Sequence, residues 1–87
     1  MKTFKFSLLT PEGIVVSDDV EMVEARSTSG AFGIMASHQP MIADCPSGRI
    51  RLLKDGSWRS YDCDVGVFAM DGTSAQLLTA FAKPSEG

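Results

Sequence analysis

The chain has 87 residues, 44% of them hydrophobic and 22% charged, with a formal net charge of -3 and an isoelectric point near 4.9. That length holds one domain around one core, and the composition is that of a globular protein, not a disordered or fibrous one. The acidic balance argues against a nucleic-acid surface, since only Arg49, Arg51 and Lys54 approach a basic cluster. The longest stretch without Asp, Glu, Lys or Arg, from Ser27 to Ala43, contains Gly30, Gly33 and Pro40 and cannot be a spanning helix.

At the start, Phe4, Phe6 and Leu8 alternate with Thr3, Lys5 and Ser7, the period of a half-buried strand. Lys2 and Lys5 precede an apolar run too short for a signal peptide, so a cytosolic chain is expected. Thr10-Pro11-Glu12-Gly13 has Pro second and Gly fourth, which suits a type I turn, and Ile14, Val15 and Val16 resume as a strand. Ser17, Asp18 and Asp19 read as a break. From Val20 to Ser27 two readings compete. A strand puts Val20 and Met22 on one face and Val23 and Ala25 on the other, so it needs a bulge or burial on both sides; a helix would start from Ser17 or Asp18 as its cap. Short length and strand-like neighbours favour the strand.

Farther on, Asp55-Gly56 and Asp71-Gly72 lie between apolar runs and are hairpin signals that each predict a register. The first sets Leu53 opposite Trp58, Ile50 opposite Tyr61 and Arg49 opposite Asp62. The second, as a two-residue loop, sets Phe68 opposite Ala75 and Gly66 opposite Leu77. The strands expected are 3–9, 13–16, 20–27, 31–35, 41–44, 49–53, 57–63, 66–70 and 74–80. This pattern predicts an all-β fold, an antiparallel β-sandwich or flattened barrel of about nine to ten short strands. The domain is expected to span 1–82, with 83–87 a loosely held polar tail.

Catalytic chemistry finds little purchase. The only histidine, His38, adjoins Ser37 in a loop, and a nucleophile and base must converge in space, which adjacency does not supply. Asp18, Asp19, Glu21 and Glu24 read as a solvated surface. Cys45 and Cys63 have no metal-knuckle spacing and read as reduced thiols. Gly30 and Gly33 lack the Lys-Ser or Lys-Thr of a phosphate-binding loop. No catalytic residue, cofactor or metal is expected. The unusual stretch is Ser29 to Ile42, where apolar residues sit among glycines and a proline. It is either an ordinary turn and strand with Phe32 and Ile34 in the core, or a partner surface offering Ala31, Met35 and Met41.

The run of Gly30, Gly33, Ile34, His38, Pro40 and Gly48 resembles the signature of the epsilon subunit of F-type ATP synthases, in which Gly-x-x-Gly-Ile leads through His-x-Pro to a Pro-x-Gly turn. Phe4, Thr10-Pro11-Glu12-Gly13, Val20-Glu21 and Gly66-Val67-Phe68 also fit, so the resemblance runs from residue 3 to about 80. Two departures stand out: Ala36-Ser37 replaces the usual Pro-Gly before the histidine, and Ala31 stands where an acidic residue is common.

The resemblance implies the epsilon β-sandwich domain: a non-catalytic rotor subunit of a proton- or sodium-driven enzyme, held against the gamma subunit and resting on the c-ring. Ser29, Gly30, Ala31, Phe32 and Gly33 would meet the c-ring, and His38, Pro40, Met41 and Ile42 the gamma subunit or the adjoining ring surface. The protein would lie at the cytoplasmic face of the cell membrane, reaching the membrane only through the c-ring. Too few residues follow Ala80 for the helical hairpin that other members carry. The competing expectation is a free-standing β-sandwich module that binds a small ligand or another protein through the same apolar segment.

Overall fold

Alternation along each strand turns one set of apolar side chains inward, and two sheets close over them. The computed structural model describes residues 2–85, and these hold ten strands and no helix. They are β1 Phe4–Thr10, β2 Gly13–Val20, β3 Met22–Ser27, β4 Gly30–Met35, β5 Met41–Cys45, β6 Gly48–Lys54, β7 Ser57–Cys63, β8 Gly66–Met70, β9 Ser74–Thr79 and β10 Ala82–Pro84. The first sheet has the order β2-β1-β9-β8-β5 and the second β10-β7-β6-β3-β4. Both are open at their edges, so the molecule is a sandwich and not a closed barrel. Neighbouring strands are antiparallel except β1 and β9, which run parallel from Lys5 opposite Ser74 to Leu9 opposite Leu78.

Phe6, Leu8, Phe68 and Leu77 of the first sheet meet Val23, Ile34, Ile50 and Leu52 of the second, all of them buried. Each such side chain contributes about 1.5–3 kcal/mol by leaving water. Phe68 is the centre: Phe6 stacks 6.4 Å away and Phe32 meets it edge-on at 5.2 Å. Thr79, buried among these groups, places its hydroxyl 2.9 Å from the carbonyl oxygens of both Asp64 and Val65 and donates its proton there.

The two possible readings of Val20 to Ser27 are decided by a crossover. Val20 ends β2 opposite Phe4, the chain passes from the first sheet to the second at Glu21, and β3 begins at Met22. Val20 and Val23 therefore enter the core from opposite layers, which removes the apparent clash of faces. Ser17-Asp18-Asp19 continues β2 rather than breaking it, because an edge strand tolerates charge and Lys54 of β6 donates a hydrogen bond to Asp18. That bond lowers the Asp18 pKa.

The β6–β7 hairpin has the register expected, with Leu53 opposite Trp58 and Arg49 opposite Asp62; Asp55 and Gly56 take φ of 52° and 77°, as a tight hairpin turn requires. The β8–β9 hairpin departs by two residues, with Phe68 opposite Leu77, Gly66 opposite Thr79 and Met70 opposite Ala75. Its turn is displaced because the Asp71 carboxylate accepts hydrogen bonds from the Thr73 and Ser74 amides, 2.8 Å each, capping the three-residue connection 71–73. A shift of two keeps every side chain on its expected face. The second sheet also runs past Ala82 into the segment expected to be a loose tail. Lys83 and Pro84 pair with β7, where an edge strand accommodates proline, and the Ser85 hydroxyl donates to Asp62 over 2.7 Å. Glu86 and Gly87, the end of that expected tail, lie outside the described residues.

Candidate docking surfaces

The β3–β4 turn is built by Ser27, whose hydroxyl oxygen accepts from the Ser29 amide at 3.1 Å and donates to the Gly30 carbonyl at 3.1 Å. Gly30 takes φ of 132°, a conformation side chains resist. Ser29, Gly30, Ala31 and Gly33 are exposed, whereas Phe32 is half-buried against Phe68. Of the five residues expected to meet a ring, Phe32 thus presents little surface and instead ties the strand to the core.

His38, Pro40, Met41 and Ile42 occupy the connection from β4 into β5. A turn closes from the Met35 carbonyl to the His38 amide at 3.2 Å, and Ser37 within it takes φ of 66°. The Ala36-Ser37 departure therefore keeps a backbone that a glycine adopts more readily. His38 is half-buried and its Nδ1 lies 2.7 Å from the Gln39 carbonyl, so the ring is held locally. Pro40, Met41 and Ile42 do come together. They line a groove of about 740 Å³ with Lys5, Ser7, Ala69 and Gln76 on the outer face of the first sheet, where Ile42 is 78% exposed.

The two segments lie at opposite ends of the sandwich. β4 leaves the Ser29 turn and arrives at Met35 after six residues, roughly 17–20 Å of strand. The Ser29 end also carries the turns at Pro11, Pro46 and Asp64; the His38 end carries those at Gly56 and Gly72. The two segments cannot form one patch and would meet two different surfaces.

An outward row that alternation alone leaves unexplained crosses the first sheet. Ile14, Leu9, Leu78 and Val67 stand opposite one another on β2, β1, β9 and β8, and Ile14 is 67%, Leu78 46% and Val67 41% exposed. Its signal was present in the doubled apolar pairs Leu8-Leu9 and Leu77-Leu78, since a strand can bury only one member of each on the same side. The thiols of Cys45 and Cys63 border one small cleft, both free; burial raises both, Cys63 to about 11. No cluster of metal-ligating side chains occurs among the described residues.

A family profile described as "ATP synthase, Delta/Epsilon chain, beta-sandwich domain" matches residues 3–85. The chain belongs to that family. Among its relatives, the ATP synthase epsilon chain of Bacillus pumilus is 47% identical over 86 residues, covering 99% of this chain and 66% of the relative. That of Bacillus subtilis is 36% identical over 87 residues, covering 100% and 66%, and that of Chlorobium limicola 39% identical over 79 residues, covering 90% of each. The chain thus spans about two thirds of the Bacillus relatives it matches. The same fold occurs in a chain of the Euglena gracilis mitochondrial ATP synthase, in an assembly of OSCP, F1 and c-ring, with a TM-score of 0.88, 16% identity and coverage of 94% of this chain and 53% of that one. It recurs in the central stalk and c-ring assembly of the Tetrahymena thermophila mitochondrial enzyme, with a TM-score of 0.78, 12% identity and coverage of 94% and 66%.

Proposed function

We propose that this epsilon-type sandwich is a non-catalytic rotor subunit that couples the gamma subunit to the c-ring of an F-type ATP synthase, at the cytoplasmic face of the cell membrane. Family membership supports the complex, and the observation that carries the coupling role is the separation of the two candidate contact segments to opposite ends of one rigid body. Ser29, Gly30, Ala31 and Gly33 meet the c-ring. Pro40, Met41 and Ile42 meet gamma through the groove on the first sheet, with His38 shaping the turn that presents them.

Torque passing from ring to stalk needs a body that does not shear. Two sheets sharing interdigitated aromatic and aliphatic side chains supply it, because a close-packed interior resists compression. With Ala31 at the tip, ring docking here relies on shape and apolar contact.

The test is reconstitution with the gamma subunit of the same organism. The folded chain binds gamma, and Ile42→Glu, at a position 78% exposed, removes binding without changing the circular dichroism spectrum. Absence of binding by the folded wild-type chain would end this reading.

A further inference from the structure

Cys45 and Cys63 sit where the chain twice crosses between the sheets. Cys45 ends β5 in the first sheet, and three residues later Gly48 opens β6 in the second, opposite Cys63. Cys63 ends β7, and three residues later Gly66 opens β8 in the first sheet, opposite Cys45. The two crossings therefore run side by side in opposite directions, and between them the Ser47 hydroxyl donates to the Asp64 carboxylate at 2.9 Å. Each cysteine has a glycine as its partner on the neighbouring strand, so that strand places no side chain over the thiol.

Both side chains turn inward from opposite layers. Cys45 belongs to the buried core, and Cys63 is half-buried against the same core from the second sheet. They line one cleft of about 20 Å³ together with Ala25, Ile50 and Leu77, room for about one water molecule. Both are free thiols, and Cys45 is among the groups whose charge raises Cys63. A disulfide needs the two Cβ atoms about 3.5–4.5 Å apart. With a gap that small, rotation of the two side chains and a slight shift of the crossings at Pro46-Ser47 and Asp64-Val65, all exposed, brings the sulfurs together.

We propose that Cys45 and Cys63 are an oxidant-closed latch: hydrogen peroxide joins them in a disulfide that ties the first sheet to the second. The more accessible Cys63 sulfur attacks one peroxide oxygen; the O–O bond breaks, the thiol proton leaves with the departing oxygen as water, and a sulfenic acid is left at Cys63. The Cys45 sulfur then displaces that hydroxyl: the S–S bond forms, the S–O bond breaks, and the Cys45 proton leaves in a second water. Two thiols lose two electrons and the peroxide gains them. Burial slows the first step, since a thiol raised to about 11 is ionised in roughly one molecule in ten thousand at pH 7. The latch therefore ignores a brief pulse and closes under sustained oxidant. Its effect reaches the Ser29 turn, because the Asp44 carbonyl beside Cys45 accepts from the Thr28 amide at 3.2 Å. The inference does not rest on the rotor reading.

The whole folded chain is held in hydrogen peroxide at neutral pH, and the remaining thiols are counted by alkylation and located by peptide mapping. The chain has two cysteines, so the count should fall from two to none, in a monomer whose map contains one peptide pair linked through Cys45 and Cys63. The thermal midpoint should rise by about 10 °C, because the bridge closes a loop of chain from 45 to 63. Cys63→Ala, treated alike, keeps the Cys45 thiol and shows no rise, which subtracts the methionine oxidation that peroxide also causes. Reduction in urea should restore both thiols. Oxygen added to one thiol without a linked pair, a bridge between two molecules, a bridge that forms in urea and not in the folded chain, or a linked product with an unchanged or lower midpoint would each overturn the proposal.

Discussion

Leu77 and Leu78 are identical neighbours on β9, yet the first is 3% exposed and the second 46%. The same contrast holds for Leu8 and Leu9 on β1 and for Phe68 and Val67 on β8. The inner layer of the first sheet is where hydrophobicity is spent on folding; the outer row has the same chemistry with no folding role to explain it. Position relative to the pleat, not residue type, separates the two. Substitutions should therefore split by direction.

Phe68→Ala makes the largest difference. It empties the contacts with Phe6 and Phe32 and should cost about 3–5 kcal/mol by urea denaturation, a large part of a small domain's stability. A loss as small as that of an outer-row change would erase the distinction between layers. Gly66→Ala comes next at about 1–3 kcal/mol, because a Cβ there would lie 2.4 Å from the Leu78 carbonyl oxygen, which backbone pairing holds in place. Ser37→Gly should act in the other direction: relieving φ of 66° gains about 0.5–1 kcal/mol, seen as a higher unfolding midpoint.

Acid sharpens the picture at the loop joining β8 and β9. Amide donors from Ser74 and Thr73 hold the Asp71 carboxyl down at about 2. Its folded pKa lies below the ordinary carboxylate value, so its contribution is complete above about pH 4 and disappears as pH falls through 2. Asp71→Ala should lower the thermal midpoint at neutral pH and flatten the acid limb between those values. Smallest of all, Leu78→Ser on the outer row should stay within about 0.5 kcal/mol of wild type in the isolated chain.

Local chemistry was what the sequence revealed best. Asp55-Gly56 specified the β6–β7 pairing residue by residue, because both turn positions must take positive φ and few residue pairs do so readily. At Asp71-Gly72 the same dipeptide served differently, since the aspartate side chain caps two amides and displaces the turn, a side-chain role the dipeptide does not announce. The parallel union of β1 with β9 was invisible because it joins ends of the chain with no turn between them. The candidate segments were legible as a run of glycine, proline and apolar residues. Their placement at opposite ends was not, because it depends on β4 and β5 each traversing the sandwich, and Phe32 looked as available as Ala31 until Phe68 was seen beside it. The ion pair of Arg51 with Glu24 was missed for a similar reason: the two are remote in sequence, and only the register brings them together.

The parallel pairing of β1 with β9 also orders events during synthesis. β1 leaves the ribosome before its central partner, which ends at Thr79, so Phe4, Phe6 and Leu8 gain only the β2 hairpin until β9 has emerged. The hairpins β3–β4 and β6–β7 close from neighbouring residues and form early, whereas the first sheet awaits a contact of long sequence separation, the kind that slows folding. The nascent chain thus carries an incomplete, partly apolar strand until β9 is made. That interval, more than the finished sandwich, is when this protein is exposed to aggregation.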